Sequence, residues 1–154
     1  MTTGPDWVYI GLGGNLGTEA EILARLDDAC ERLRVWAAAG GVLARSPVYR
    51  SAPVGPVREQ PAFLNQVVAF PPAPGLDPRA LLDLCRAIEE HHGRRREVAQ
   101  GPRTLDLDIL LFGERAVSEP DLFIPHPRMG RRAFVLAPLL DLASADQPIE
   151  KLTP

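Results

Sequence analysis

Apolar and polar positions alternate along the chain in two different periods, and these periods predict where strands and helices lie. A short apolar strand at 8–10 precedes a segment whose apolar residues recur every three or four positions, which is typical of an amphipathic helix. Thr18 and Glu21 form a capping box that begins this helix, and Gly40-Gly41 ends it. Its apolar stripe consists of Ile22, Leu26, Ala29, Cys30, Leu33 and Ala37.

The middle of the chain predicts two more strands, a second helix and a further strand. Residues 42–50 indicate a strand that Pro47 marks as an edge or a bulge, and residues 63–70 alternate strictly between two faces. Asp77 is an N-cap followed by Pro78 at the first helical position, and Gly93 stops that helix. Its inner stripe is Leu81, Leu84, Cys85 and Ile88. A polar loop then leads to an apolar strand at 105–112.

The resulting order, βαββαβ, predicts an α+β sandwich with two helices on one face of a mainly antiparallel sheet. A short hairpin around Val117 and 123–124 and a short amphipathic helix at 132–140 are expected to follow. Residues 141–154 have a weak pattern and are expected to fray. We expect the whole chain, 1–154, to form a single domain.

Composition narrows the class of protein. The chain is 45% hydrophobic and 24% charged with a formal net charge of -3, so it is expected to be globular and to lack the basic field of a nucleic-acid binder. No apolar run is long enough to span a membrane, and the N-terminus lacks the layout of a signal peptide. These features predict a cytoplasmic protein, with Cys30 and Cys85 as reduced core residues.

Two carboxylates interrupt the last apolar strand. Asp106 and Asp108 are two positions apart, so their side chains share a face with Cα atoms roughly 6.6 Å apart. A buried strand can carry one Asp paired with an arginine, but two on one face are harder to explain structurally. The short carboxylate pair suits Mg²⁺, which prefers a few protein oxygens together with water and phosphates.

Arginines surround this acidic pair and point to phosphate chemistry. Arg103 lies three residues before Asp106, and Arg94, Arg95 and Arg96 precede it on the same loop. Carboxylates for a metal and guanidinium groups for anions are what phosphoryl transfer requires. A solvated charge run is the alternative for 94–96.

The histidines carry weaker signals. His126 lies in a stiff Pro-His-Pro segment, whereas His91 and His92 end a helix, where dipole capping is the expected role. No group of His and Cys residues has the spacing of a zinc site.

Two further segments have both a structural and a functional interpretation. The glycine-rich run 11–17 fits neither common nucleotide-loop pattern, so it predicts a tight strand-to-helix turn that could line a pocket wall. Phe63 and Asn65 share a strand face, where an aromatic plane beside a carboxamide suits a flat heterocycle with hydrogen-bonding edges. An aromatic core residue beside a turn-directed Asn is the alternative.

The segment 101–113, Gly-Pro-Arg-Thr-Leu-Asp-Leu-Asp-Ile-Leu-Leu-Phe-Gly, closely resembles the signature of the 6-hydroxymethyl-7,8-dihydropterin pyrophosphokinase family. The resemblance covers some 130 residues in the family's order. Its other parts are 9–17, 49–53, 60–65, 125–127 and 132–134. Ala99 and Gln100 depart from it, since many members have an arginine and an aromatic residue there. The family's fold, a ferredoxin-like βαββαβ sandwich, agrees with the order predicted above.

The resemblance implies an activity and a set of ligands. The family transfers the pyrophosphate of ATP to the hydroxymethyl group of the pterin and releases AMP. ATP is then a co-substrate, and two Mg²⁺ ions are expected on Asp106 and Asp108. The loops 51–61 and 94–102 would be mobile covers over the substrates.

The resemblance also implies roles for individual residues. The residues expected to bind the pterin are Ser51, Ala52, Pro53, Val54, Phe63, Asn65 and Phe134. Those expected to bind ATP are Glu89, Arg94, Arg103, His126 and Arg132. The catalytic set would be Arg94, Arg96, Arg103, Asp106 and Asp108.

Two other functions remain open from the sequence. One is a metal-dependent phosphoryl or nucleotidyl transferase with a different acceptor. The other is a ferredoxin-like RNA-binding module, although paired acids on a strand repel phosphate unless a metal is present. With small-molecule substrates and no membrane or nucleic-acid partner, we expect a monomer.

Overall fold

The computed structural model describes residues 6–38, 40–41, 43–52, 59–93 and 104–127. These form an α+β structure with two helices and a mainly antiparallel sheet, which is compatible with a ferredoxin-like fold. The elements in chain order are β1 (Val8–Gly14), α1 (Glu19–Arg34), β2 (Ala44–Arg45), β3 (Tyr49–Ser51), β4 (Phe63–Phe70), α2 (Pro78–His91), β5 (Asp106–Phe112), β6 (Val117–Glu119) and β7 (Leu122–Ile124).

The main sheet has the order β2-β4-β1-β5, and β3 also pairs with β4. All of its pairings are antiparallel, and β6 and β7 pair antiparallel with each other in a separate two-stranded sheet. None of the helices in the described ranges has the length and apolar character needed to cross a bilayer.

The two faces of the main sheet bury different side chains. One face forms a large core with both helices, which includes Ile10, Leu12, Leu26, Leu33, Val68, Phe70, Leu81, Ile88, Leu107 and Ile109. The alternation predicted for 63–70 is confirmed, because Val68 and Phe70 belong to this core while Val67 and Ala69 join a small cluster on the opposite face. The opposite face therefore carries a smaller apolar cluster than the helix face in the described part of the chain.

Helix α1 begins as predicted and ends earlier. The Thr18–Glu21 capping box is confirmed by both of its reciprocal hydrogen bonds. The helix ends at Arg34 rather than near Gly40, because the backbone after it bonds to the segment following β4. Ala38 donates its N–H to Pro71 and Ala73 donates its N–H to the Trp36 carbonyl, so tertiary hydrogen bonds replace further helical ones.

Helix α2 has the predicted beginning. The Asp77 side chain accepts a hydrogen bond from the Ala80 N–H at 2.8 Å, and Pro78 occupies the first turn. The helix ends at His91, and the N–H of His92 caps its last carbonyls. The predicted inner stripe is confirmed, with Leu81, Cys85 and Ile88 buried and Leu84 packed against them.

The single strand predicted at 42–50 is wrong in detail, because it is divided into β2 and β3 around Ser46 and Pro47. The Ser46 hydroxyl accepts from the Val67 N–H at 2.9 Å and donates to the Pro47 carbonyl at 2.8 Å. The Ser46 hydroxyl thus takes the place of a backbone group in the hydrogen-bond ladder with β4. The next residue, Pro47, cannot donate to this ladder, because proline has no N–H.

The predicted boundary between strand and glycine-rich turn is also wrong. Strand β1 continues through Gly11, Gly13 and Gly14, and the turn is confined to the residues just before α1. The predicted helix at 132–140 and the segment 141–154 lie outside the described residues.

Candidate active site

Three strands place polar side chains in a row across the sheet face that is turned away from the helices. Gly13 of β1 lies opposite Asn65 of β4 on one side and opposite Asp106 of β5 on the other. In the next row on this face, Gly11 lies between Val67 and Asp108. A strand with glycines at alternate positions therefore separates a carboxamide from two carboxylates.

Gly13 is needed because Asn65 lies so close to it. A Cβ atom at Gly13 would be 3.0 Å from Asn65 Oδ1 and 3.4 Å from the Leu64 carbonyl oxygen. The first distance is shorter than an ordinary van der Waals contact, so a larger residue would displace the Asn65 side chain. The glycine-rich run thus lies directly beside Asn65, and the expectation that it lines a pocket wall stays a prediction.

Asn65 is held in a fixed orientation. It is only 6% exposed, and its Nδ2 donates to Ser51 Oγ at 2.8 Å and to the Phe63 carbonyl at 3.5 Å. Phe63 begins β4 on the same face and is half-buried, whereas Ala52 is exposed just after β3. Four of the residues predicted to bind the pterin therefore lie together at one end of β3 and β4.

Asp106 and Asp108 are half-buried on β5, while the alternating Leu107 and Ile109 point into the core. His126 lies beside them, because its backbone N–H donates to the Leu110 carbonyl at 3.0 Å. This contact brings His126 Nε2 to 4.0 Å from Asp108 Oδ1. The structure thus places a predicted ATP ligand next to a predicted metal ligand that is 18 positions away in the sequence.

Glu89 of α2 binds the backbone of β5 from the helix side of the sheet. The carboxylate is 4% exposed, and its Oε2 accepts a hydrogen bond from the Leu107 N–H at 2.9 Å. Leu107 lies between the two aspartates, so Glu89 fixes the backbone that presents them. Sequence reasoning assigned Glu89 to the nucleotide and did not anticipate this contact.

Replacing Glu89 with alanine should lower the free energy of unfolding by about 1–3 kcal/mol, since it leaves a buried backbone N–H without this acceptor. Urea denaturation of the purified variants measures the change. Glu89→Gln is the matched control, because its side-chain oxygen can still accept from Leu107 and the loss should be smaller. Equal midpoints for wild type and Glu89→Ala would show that the contact adds no stability.

Two further residues, Asn15 and Arg25, make contacts that no pattern in the sequence indicated. Asn15 is fully buried and donates to Gln60 Oε1 at 3.0 Å and to the Pro61 carbonyl at 2.9 Å. Arg25 of α1 donates to the Leu16 carbonyl at 2.6 Å and to the Thr104 carbonyl at 3.0 Å. These contacts join residues 9 to 79 positions apart, so no local pattern could indicate them.

The two cysteines, Cys30 and Cys85, lie in the large core. Both are free and buried, as predicted. Burial raises the pKa of Cys30 to about 11. Burial, together with the nearby carboxylates of Glu89 and Asp108, also raises the pKa of Cys85 well above its usual range. Neither thiol is a nucleophile at neutral pH, because the thiolate is the reactive form.

Seven of the predicted site residues lie outside the described part of the chain. They are Pro53, Val54, Arg94, Arg96, Arg103, Arg132 and Phe134. Most of the two loops predicted to cover the substrates also lies there.

Comparison with known proteins shows which family the chain belongs to. A model of the 7,8-dihydro-6-hydroxymethylpterin-pyrophosphokinase family matches residues 9–144. The chain belongs to this pyrophosphokinase family. The matched range includes every element from β1 to β7 except the first residue of β1.

Relatives from distant organisms support the same assignment. A 2-amino-4-hydroxy-6-hydroxymethyldihydropteridine pyrophosphokinase from Pseudomonas aeruginosa is 48% identical over 136 residues, covering 88% of this chain and 80% of the relative. A protein of the same name from Bacillus subtilis is 43% identical over 143 residues, covering 93% of this chain and 80% of the relative. A mitochondrial folate synthesis bifunctional protein from Arabidopsis thaliana is 42% identical over 136 residues, which make up 88% of this chain and 23% of that protein.

Membership of this family defines the reaction that the chain catalyses. The chain transfers pyrophosphate from ATP to the hydroxymethyl group of 6-hydroxymethyl-7,8-dihydropterin in folate biosynthesis. ATP is accordingly a co-substrate of this enzyme.

Proposed function

We propose that the sheet face crossed by Asn65, Gly13 and Asp106 is the active site, with the pterin on the Asn65 side and the ATP phosphates on the Asp106 side. The observation that supports this proposal is the row of Asn65, Gly13 and Asp106 on three neighbouring strands. It places a buried hydrogen-bonding amide and a half-buried carboxylate on either side of a residue with no side chain. Two different substrates can therefore meet over β1.

Asp106 and Asp108 are the residues that would hold Mg²⁺. Both are half-buried, and the Asp108 side chain is 44% exposed, so oxygen ligands from water and phosphate have access to this position. Asp106 and Asp108 would hold two Mg²⁺ ions, whose positive charge would neutralise the negative charge on the phosphates during transfer. The oxygen-only donor pair fits this ion.

Asn65 would recognise the amide-like edge of the pterin, and Ser51 would fix the orientation of Asn65. The 2.8 Å bond from Asn65 Nδ2 to Ser51 Oγ sets the direction of the carboxamide before substrate arrives. Phe63 would stack on the ring from the same face. The rest of the proposed pocket consists of Ala52, Pro53, Val54 and Phe134.

Arginines and His126 would bind the triphosphate. His126 supports this role by its position 4.0 Å from Asp108, which puts an imidazole beside the proposed metal ligands. Guanidinium groups neutralise phosphate charge and bind phosphate oxygens in pairs. The proposed nucleotide ligands are Glu89, Arg94, Arg103, His126 and Arg132, and Arg96 joins Arg94 and Arg103 in the catalytic set.

In the proposed reaction the hydroxymethyl oxygen of the pterin attacks Pβ of ATP in line with the bond to AMP. The O–Pβ bond forms as the bond from Pβ to the oxygen bridging to Pα breaks, the proton of the hydroxyl passes to solvent, and AMP leaves. The chain contributes mainly by holding the acceptor alcohol close to Pβ, which can supply about 7–11 kcal/mol of the barrier.

We further propose that the sheet and helices form a ferredoxin-like βαββαβ sandwich in which β2 and β3 act as one interrupted strand. The hairpin of β6 and β7 would be an addition that brings His126 to β5. We also propose that the enzyme acts as a monomer on its two small-molecule substrates.

The identity of the nucleotide product tests the reaction directly. Incubation with ATP, Mg²⁺ and 6-hydroxymethyl-7,8-dihydropterin should yield AMP and the pterin diphosphate in equal amounts, as measured by liquid chromatography. ADP as the product would indicate a simple kinase. Free pyrophosphate without a modified pterin would indicate nucleotidyl transfer, and either result would contradict the proposal.

A further inference from the structure

Three potential metal ligands converge where α1 meets the end of α2, on the helix side of the sheet. Asp28 lies within α1, His91 is the last residue of α2, and His92 is its C-cap. One ligand atom from each lies within 4.8 Å of the others. Two imidazole nitrogens and one carboxylate oxygen form a donor set that Zn²⁺ binds in proteins.

The two adjacent histidines at the end of α2 lie close together. His92 is the C-cap of the helix, with φ -92° and ψ 14°. The two rings lie edge to face with centroids 5.1 Å apart. His92 Nε2 is 2.7 Å from Asp28 Oδ2, so a side chain of α1 already contacts the end of α2.

A cation already binds part of this cluster. Arg32 Nε donates to Asp28 Oδ2 at 2.7 Å, and Arg32 Nη2 lies 2.7 Å from His91 Nε2. The Arg32 and Asp28 side chains are 41% and 42% exposed, and such surface ion pairs contribute little to stability. A divalent ion can therefore displace the guanidinium at low cost. The negative end of the α2 dipole favours a cation at this position.

We propose that Asp28, His91 and His92 form a binding site for a divalent transition metal of the Zn²⁺ class, separate from the proposed Mg²⁺ site. The two sites differ in ligand chemistry, since imidazole favours Zn²⁺ and an oxygen-only pair favours Mg²⁺. Sequence spacing did not indicate this site, because its third ligand comes from a helix more than 60 positions earlier. A bound ion joins α1 to the end of α2, directly before the segment that carries Arg94 and Arg96.

Calorimetric titration with Zn²⁺ in the presence of saturating Mg²⁺ tests the site. We expect one equivalent to bind the wild type, and binding should weaken by about tenfold or more in His91→Gln and in Asp28→Asn, since loss of even an outer-shell partner costs 10–100-fold. His126→Gln is the matched control, because it removes the remaining histidine of the chain and should leave the affinity unchanged. Arg32→Ala removes the competing cation and should bind Zn²⁺ several-fold more tightly.

Three outcomes would overturn the proposal. The first is a wild type that takes up no Zn²⁺ under these conditions, and the second is a His91→Gln variant that binds as tightly as the wild type. The third is a loss of binding in His126→Gln, which would place the ion beside Asp108. Replacing Zn²⁺ with Co²⁺ provides an independent readout, since a visible absorption band should appear in the wild type and be absent in His91→Gln.

Discussion

Turnover should fall by roughly 10³-fold when Asp108 is replaced by asparagine, since a preorganised charge at the reacting phosphates is lost. The substitution is nearly isosteric, so the half-buried side chain keeps its shape on β5 and the fold is retained. Steady-state AMP release measures turnover, and circular dichroism checks the fold. The Mg²⁺ concentration needed for half-maximal activity should also rise, because one anionic ligand has become a neutral amide.

Asp83→Asn is the matched control for this experiment. Asp83 is an exposed residue of α2, so the same chemical change there should leave both turnover and Mg²⁺ dependence unaltered. Wild-type turnover in Asp108→Asn would refute the proposed metal role. Equal losses in both variants would show that the effect is not specific to the site.

Pterin affinity should fall on the order of 100-fold in Asn65→Ala, because the proposed hydrogen bonds of its amide to the pterin edge are lost, and two such bonds at about 1.4 kcal/mol each correspond to that factor. Nucleotide affinity should change little, since Asn65 lies across β1 from the aspartates. Fluorescence titration with pterin alone and with a non-hydrolysable ATP analogue alone separates the two effects.

Gln66→Ala is an informative control because Gln66 is the next residue of β4, is equally buried and points to the opposite face. Its amide donates to the Ser46 carbonyl at 2.7 Å and accepts from Arg45 at 3.2 Å. This variant should lose stability and retain pterin affinity. If both variants lost pterin affinity alike, destabilisation of β4 would explain the result and the recognition role would be wrong.

Much of the fold could be predicted because local signals agree with tertiary packing. The alternation in β4, the Thr18 capping box and the Asp77-Pro78 start are local rules that the core does not oppose. The end of α1 is different, since two tertiary hydrogen bonds decide it: the Ala38 N–H donates to the Pro71 carbonyl and the Ala73 N–H donates to the Trp36 carbonyl. Such contacts leave no periodic trace in the sequence.

The site could be predicted only in part for the same reason. The aspartate pair was evident because a period of two puts both side chains on one face. The role of Gly13 was not evident, because it depends on Asn65, which lies on a strand more than 50 positions later. Arg25 and Glu89 reach the backbone of other elements from helices, and a helical pattern gives no information about what a polar side chain meets.

In the proposed active site, the row through Gly13 also sets a length requirement for inhibitors. The Cα atoms of Asn65 and Asp106 are separated by two strand spacings, roughly 9.6 Å. A bisubstrate compound that joins a pterin ring to an adenosine group therefore needs a linker that crosses one whole strand. Acidic groups along that linker would take the place of the phosphates beside Asp106. With a shorter neutral linker, either the pterin ring or the adenosine group would lie outside its binding pocket.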